Sequence, residues 1–198
     1  INDRIATEFR AMEDKLRLDF GFGWASGDPD VNSLNPPGTG VQPQLTADRT
    51  YSMFRFHPDY RVDLIFWRNV MSRVQGAYYF RPQVQYDFAR DPNGQRLGGS
   101  AAVIWSRASE FIQTPGNKRD LGVELDVSLY FQAKDGSLND GIDKMGGFYT
   151  AVQYGVFFPL GGLDYLPNEL VKYDKATGLG NIETATAQAF RVYLGVMF

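Results

Sequence analysis

Two carboxylates, Glu124 and Asp126, stand two residues apart in the most regularly alternating stretch of the sequence. Successive side chains of a β-strand point to opposite faces, so this spacing places both carboxyl groups on one face. Such a pair can act as general acid and general base in hydrolysis. A charged wall that faces water uses the same residue types. We favour the wall, because two acids in a dry core would be costly.

The other chemically reactive residue types do not form a motif. His57 is the only histidine and stands beside Pro58, so neither a histidine-based triad nor a multi-histidine metal site can be built. Cysteine is absent, which excludes disulfides, thiolate ligands and a cysteine nucleophile. Glycines such as Gly98 and Gly99 form no phosphate-binding fingerprint between a strand and a helix. We therefore predict no catalytic residue and no cofactor.

A short acidic stretch has the first spacings of a calcium-binding loop, with Asp28, Asp30 and Asn32 at alternate positions. Ser33 stands where such a loop needs glycine, and Thr39 stands where it needs a bidentate acid. Because the pattern is incomplete, we predict no metal site.

Composition limits the class of protein. The 198 residues suit one domain, and 20 Lys+Arg against 23 Asp+Glu give a formal charge of −3, so no basic excess points to nucleic acid. Mean hydropathy is −0.31 and no stretch approaches about 18 consecutive apolar residues, which excludes a transmembrane helix. Transmembrane β-strands stay compatible with these values because they are apolar only at every second residue. An aromatic content of 15% suits the girdles of a transmembrane barrel.

Alternation of apolar and polar residues predicts strands with one apolar face each. The strands are predicted within 16–24, 78–88, 97–105, 121–131, 148–158 and 190–198, with a weaker one in 1–12. Their opposite faces carry small, polar and charged residues, as the wall of a water-filled lumen does. Pro82 interrupts one run and has no backbone N–H, which predicts a strand edge or a bulge.

The last strand has a fully apolar face and ends on an aromatic residue. Its apolar residues are Phe190, Val192, Leu194, Val196 and Phe198. The pattern resembles the carboxyl-terminal targeting strand of bacterial outer-membrane β-barrels, which the barrel-assembly machinery reads. The resemblance implies that these five residues form an assembly signal and face lipid. The last strand of a soluble sandwich is the alternative.

The longest connection spans residues 25–75 and begins with many glycines, prolines and aspartates. Apolar residues at helical spacing then predict a helix near 60–74, with an ordinary core helix of an α+β protein as the alternative. Because this segment would be costly to leave in water, we expect it to pack on the loop, cap the barrel or enter its mouth. A periplasmic carboxyl terminus makes this loop extracellular, together with the segment after residue 159. The turn at 91–94 is then periplasmic, which matches the long loops and short turns of such barrels.

Three short motifs resemble the carboxyl-terminal part of an outer-membrane β-barrel family of deltaproteobacteria that is distantly similar to alginate-export porins. The motifs are residues 25–28 (Ala-Ser-Gly-Asp), 54–60 (Phe-Arg-Phe-His-Pro-Asp-Tyr) and 78–82 (Tyr-Tyr-Phe-Arg-Pro). The resemblance implies a barrel of about sixteen strands or more, and hence an amino-terminal portion that precedes this chain. The basic lumen of the export porins is not matched, since the predicted inward residues combine arginines with acids.

The sequence thus predicts an all-β protein: a transmembrane antiparallel up-and-down β-barrel, or the carboxyl-terminal part of a larger one, in the bacterial outer membrane. The predicted function is that of a porin-like channel for passive passage of ions or small hydrophilic solutes. The predicted pore-lining residues are Arg17, Asp19, Arg81, Asp87, Glu124, Asp126, Tyr130 and Arg191.

The expected partners are the lipid bilayer with its lipopolysaccharide, the barrel-assembly machinery, and other envelope proteins or a preceding polypeptide that completes the two sheet edges. Unpaired edges in hydrocarbon would leave costly backbone groups. Two other interpretations stay open. One is a structural or scaffolding barrel that presents loops to a partner, and the other is a soluble β-sandwich or lipocalin-like binder.

Overall fold

The computed structural model describes residues 2–9, 16–27, 54–90, 95–110, 114–133, 147–164 and 184–197. The calcium-like stretch from Asp28 to Thr39 and the terminal Phe198 lie outside these ranges, as does much of the predicted 25–75 loop. Within the described ranges, no helix is long and apolar enough to cross a membrane.

Seven antiparallel strands form one sheet in chain order. They are β1 Asn2–Phe9, β2 Leu16–Trp24, β3 Ala77–Arg90, β4 Arg96–Ala108, β5 Asp120–Ala133, β6 Gly147–Pro159 and β7 Ala187–Met197. Each strand pairs with its neighbours in sequence, so β1 and β7 lie at the two edges. The prediction of an all-β antiparallel protein is confirmed, because every predicted alternating stretch forms a strand.

Consecutive connections lie at opposite ends of the sheet, because each strand runs antiparallel to the one before it. The β2–β3, β4–β5 and β6–β7 connections start and finish at one end, which we call the loop end, and the others at the turn end. Backbone hydrogen bonds join neighbouring connections at the loop end: Ser109 N donates to Gly76 O over 2.8 Å, and Gly116 N to Gly162 O over 2.9 Å.

Pro82 lies inside β3, between β2 and β4, and the register shift of the β3–β4 ladder lies between Asp87 and Ala89, so the prediction of a strand edge or a bulge at Pro82 was wrong. The β3–β4 ladder pairs Phe80 with Trp105 and Gln83 with Ala102, and skips the two positions between them. The register is the same on both sides of the gap. The strand therefore tolerates proline by a local interruption of one ladder, where this residue offers no N–H.

The two faces of the sheet differ in character. The outer face carries exposed apolar side chains from β2 to β7, among them Phe190, Leu194 and Val196, which are 66%, 73% and 57% exposed. Several of its aromatic residues lie toward the two ends, whereas Tyr154 and Phe190 lie in the same row as Val84 and Val127. Phe80 stacks on Trp105 near the loop end with ring centroids 5.7 Å apart, and the side chains at the turn end of β3 include Phe88, about 27 Å further along the strand.

The apolar core lies on the inner face near the loop end, beneath residues 60–71, which we call the inward segment. Buried residues of this segment pack on inner-face side chains of β3, β4, β5 and β6. Of the helix predicted over 60–74, the structure forms one five-residue π-helix, Phe66–Val70. The inward segment packs on the inner face of the sheet, and the helix predicted near 60–74 is reduced to this one turn.

Candidate functional site

The inner face is a polar wall whose rows follow from the strand register. The row nearest the core contains Arg81 and Glu124, and the next row toward the turn end runs from Asp19 through Gln83 and Ala102 to Asp126. A third row consists of Arg17, Gln85, Ser100, Ser128, Gln153 and Arg191. The eight predicted pore-lining residues, Arg17, Asp19, Arg81, Asp87, Glu124, Asp126, Tyr130 and Arg191, all lie on this face.

Glu124 holds the inward segment by its carboxylate. Its Oε1 accepts the backbone N–H groups of Leu64 over 2.9 Å and Ile65 over 2.7 Å, and its Oε2 accepts that of Phe66 over 2.9 Å. The side chain is only 1% exposed. The sequence interpretation placed this carboxylate on a wet wall, and the structure instead covers it with the segment, because three N–H donors compensate for its burial.

Leu64 is held from both sides of its backbone. Its N–H also lies 3.2 Å from Asp126 Oδ2, and its carbonyl oxygen accepts from Arg191 Nη2 over 2.8 Å. Its side chain rests over Gly155, where an added Cβ would stand 3.2 Å from the Leu64 Cβ. The same Cβ would stand 2.7 Å from Asp126 Oδ1, so a larger side chain would crowd both this carboxyl group and the segment.

Asp63 fixes the first turn of the segment from within. Its carboxylate accepts the N–H groups of Trp67 over 2.9 Å and Arg68 over 3.1 Å. Burial raises the pKa of the Asp63 carboxyl to about 7, and the nearby charge of Glu124 adds to that rise. The two N–H donors oppose the shift without cancelling it. Asp63 is therefore partly protonated near neutral pH.

Apolar contacts complete the attachment of the segment. The ring of Phe66 stacks on Phe157 of β6 with centroids 4.8 Å apart and an interplanar angle of 8°. Trp67 is 2% exposed, and its indole N–H donates to Ser106 Oγ over 2.9 Å. Burying such rings contributes roughly 1.5–3 kcal/mol each, so the segment is fastened by packing as well as by hydrogen bonds.

Four of the other five predicted lumen residues form two separate groups. Arg17 and Asp19 pair on β2 with a nitrogen–oxygen distance of 3.1 Å. Further toward the turn end, the Tyr130 hydroxyl donates to Asp87 Oδ1 and accepts from Gln85 Nε2 over 2.9 Å. The structure thus brings Glu124, Asp126 and Arg191 together around the segment and places Asp87 and Tyr130 further toward the turn end.

A polar cavity of about 170 Å³ lies between the inward segment and the wall. Gln83 and Gln153, which sequence reasoning did not single out, are among its lining residues. Both occupy inward positions of alternating strands, so the same periodicity that predicted the acids could have identified them. Asp63 was also missed, because nothing in the local sequence marks it as a partner of the N–H groups four and five residues later.

The arrangement offers no evident chemical centre. Among the described residues, no group of three or more histidine, cysteine, aspartate or glutamate side chains could hold a metal ion. Both oxygens of Glu124 bind backbone N–H groups, which gives this acid a structural task. His57 stands 78% exposed at the loop end, 3.6 Å from Asp59. Searches for related proteins found no matching family, no matching curated protein and no matching solved structure.

Proposed function

We propose that this chain forms the wall of a porin-like outer-membrane channel, in which the inward segment narrows the lumen and ions or small hydrophilic solutes pass alongside it. The observation that carries the proposal is the difference between the two faces: the outer face is apolar and exposed, whereas the inner face is polar toward the turn end and has its apolar part buried under the inward segment near the loop end. A soluble barrel or lipocalin-like binder has the reverse arrangement, with its apolar face inside and its polar face toward water.

The outer face has the features of a lipid-facing surface. Exposed apolar residues recur on every strand from β2 to β7, whereas soluble monomers rarely expose a contiguous apolar patch of more than a few hundred Å². Aromatic residues near the ends, such as Phe80 and Phe88, flank aliphatic ones such as Val84 and Val127. This order matches the apolar band and aromatic girdles of transmembrane barrels.

The inner face has the features of a lumen wall. Ser100 and Ser128 share a hydrogen bond of 2.7 Å, and the cavity beside them is lined mostly by polar and charged side chains. The inward segment covers the inner face near the loop end. The polar cavity beside it remains unfilled by side chains. The charged side chains that line the lumen, and the width of the lumen, would then set which solutes pass.

Conductance tests the proposal directly. Folded protein, identified by its heat-modifiable gel mobility, should produce stepwise currents in planar bilayers, and the heat-denatured sample should produce none. Repeated absence of current from folded protein would exclude the channel.

A structural or scaffolding barrel is the second candidate, favoured by how firmly the segment is attached. Glu124, Asp126, Arg191 and Ser106 all hydrogen-bond to it from the wall. Such firm attachment suits a segment that blocks the lumen permanently. The long loops would then be available to bind a partner. A folded protein that never conducts, even after the segment is loosened by Glu124→Gln, would support this candidate.

A further inference from the structure

The cavity beside the inward segment contains more hydrogen-bonding atoms than the protein satisfies. It is bounded by Arg61, Asp63 and Arg68 of the segment and by inner-face residues of β3, β4, β5 and β6. Its volume of about 170 Å³ leaves room for a small solute or a cluster of water molecules.

Three buried oxygen atoms that line the cavity lack a hydrogen-bond donor among the described residues. They are Gln83 Oε1, Gln153 Oε1 and Asp126 Oδ1. The three residues lie on three different strands and in adjacent rows of the wall. A buried acceptor without a donor is costly. We therefore expect a molecule inside the cavity to donate hydrogen bonds to these oxygens.

The same cavity also offers donors. Arg61, Arg68 and Arg81 line it, and guanidinium groups donate hydrogen bonds but cannot accept them. Against these three positive charges stand the carboxyl groups of Asp63 and Asp126. A simple anion would leave the three oxygens without donors, and a simple cation would meet three arginines, so neither complements the whole lining.

We propose that this cavity binds a small neutral polyhydroxyl solute, of the size of a monosaccharide or a shorter polyol. Each hydroxyl group both donates and accepts, so one solute can donate to the three oxygens and accept from the arginines. The inference rests on the channel proposed above, in which solutes pass beside the inward segment.

Three probes of similar size and different charge separate the alternatives: glucose, gluconate and glucosamine. Binding to the folded full chain in detergent is measured by saturation-transfer NMR, and single-channel current is measured in parallel with each probe added. We expect glucose to bind most tightly and to lower the ion current in a saturable way.

Single substitutions locate the site. Gln83→Leu and Gln153→Leu should each weaken glucose binding by about two- to tenfold, the effect of one lost hydrogen bond. The matched control is Gln188→Leu, since the Gln188 side chain lies on the outer face and bonds to Tyr154 over 2.9 Å. It should leave glucose binding unchanged.

The outcomes are distinct. Preference for gluconate or glucosamine, or equal loss in the control variant, would overturn the assignment. A channel that conducts while none of the probes binds would mean that the cavity holds water alone, which overturns this proposal and leaves the channel intact. Glucose binding at the two glutamines without any conductance would overturn the channel and retain the solute site.

Discussion

Replacing Glu124 by glutamine removes one of the two oxygens that hold the inward segment and changes little else in size. Oε1 accepts two N–H groups, from Leu64 and Ile65, and an amide oxygen can still accept both. Oε2 accepts from Phe66, and the amide nitrogen that takes its place presents its own hydrogens to that donor. The variant therefore loses one charge-assisted bond and leaves one buried donor unpaired.

The expected cost to docking of the segment is about 2–4 kcal/mol, because bonds to charged groups contribute about 1.5–3 kcal/mol and an orphaned buried group adds to the loss. If the amides of residues 64–66 exchange by local opening, their exchange rates should rise by about thirtyfold to several hundredfold. Amides in the centres of β4 and β5 should exchange as before, since the sheet ladders remain.

Hydrogen exchange resolved by fragment mass spectrometry on the folded protein measures this effect. Glu110→Gln is the matched control, because Glu110 forms only a partly exposed pair with Arg119 at 3.6 Å. It should change exchange at residues 64–66 by less than about twofold. Unchanged protection of these amides in Glu124→Gln, or equal loss of protection across the whole sheet, would refute the fastening role of Glu124.

Three further predictions concern the two faces and the inward segment. Val192→Arg, on the outer face, should lower the free energy of unfolding in lipid vesicles by about 2–4 kcal/mol, measured by urea titration. Tyr193→Arg, on the inner face, should lower it by much less. Equal costs would contradict the assignment of the outer face to lipid. Gly155→Val should expose the inward segment to protease without unfolding the sheet, whereas Gly195→Val should not, because an added Cβ there meets nothing closer than 4.0 Å. Asp63 holds its proton more tightly in the folded protein, where its pKa is about 7, than in the unfolded chain, where it is about 4. The free energy of unfolding should therefore fall as the pH rises from about 4 to about 7. Asp63→Asn should flatten this slope, measured by urea titrations at each pH.

Strand positions were predictable because each strand carries its own signal. In β5, apolar and polar residues alternate from Val123 to Phe131, and one face must leave water while the other can remain in it. The register follows in the same way, since a shift of one residue would exchange the faces. Pro82 was misjudged because the sequence shows the missing donor and does not show that the ladder simply skips this position.

The inward segment was only partly predictable. Its apolar spacing predicted a helix, and the structure forms one π-helical turn, because Glu124 and Asp63 take up the N–H groups of residues 64–68. The Glu124 contacts join positions about sixty residues apart in sequence, and local periodicity carries no information on such pairs. The acids of the wall could be placed on one face, whereas their task as anchors depends on the tertiary fold.

Spin labels along β7 test the central claim, that the outer face lies in lipid and the inner face does not. The chain has no cysteine, so single cysteines at positions 190–196 can be labelled one at a time in protein reconstituted into vesicles. Accessibility to oxygen, which concentrates in lipid, should peak at Phe190, Val192, Leu194 and Val196, and accessibility to a water-soluble nickel chelate should peak at the positions between them. Equal accessibility at neighbouring positions, or the nickel chelate reaching the apolar positions best, would contradict a membrane-spanning sheet.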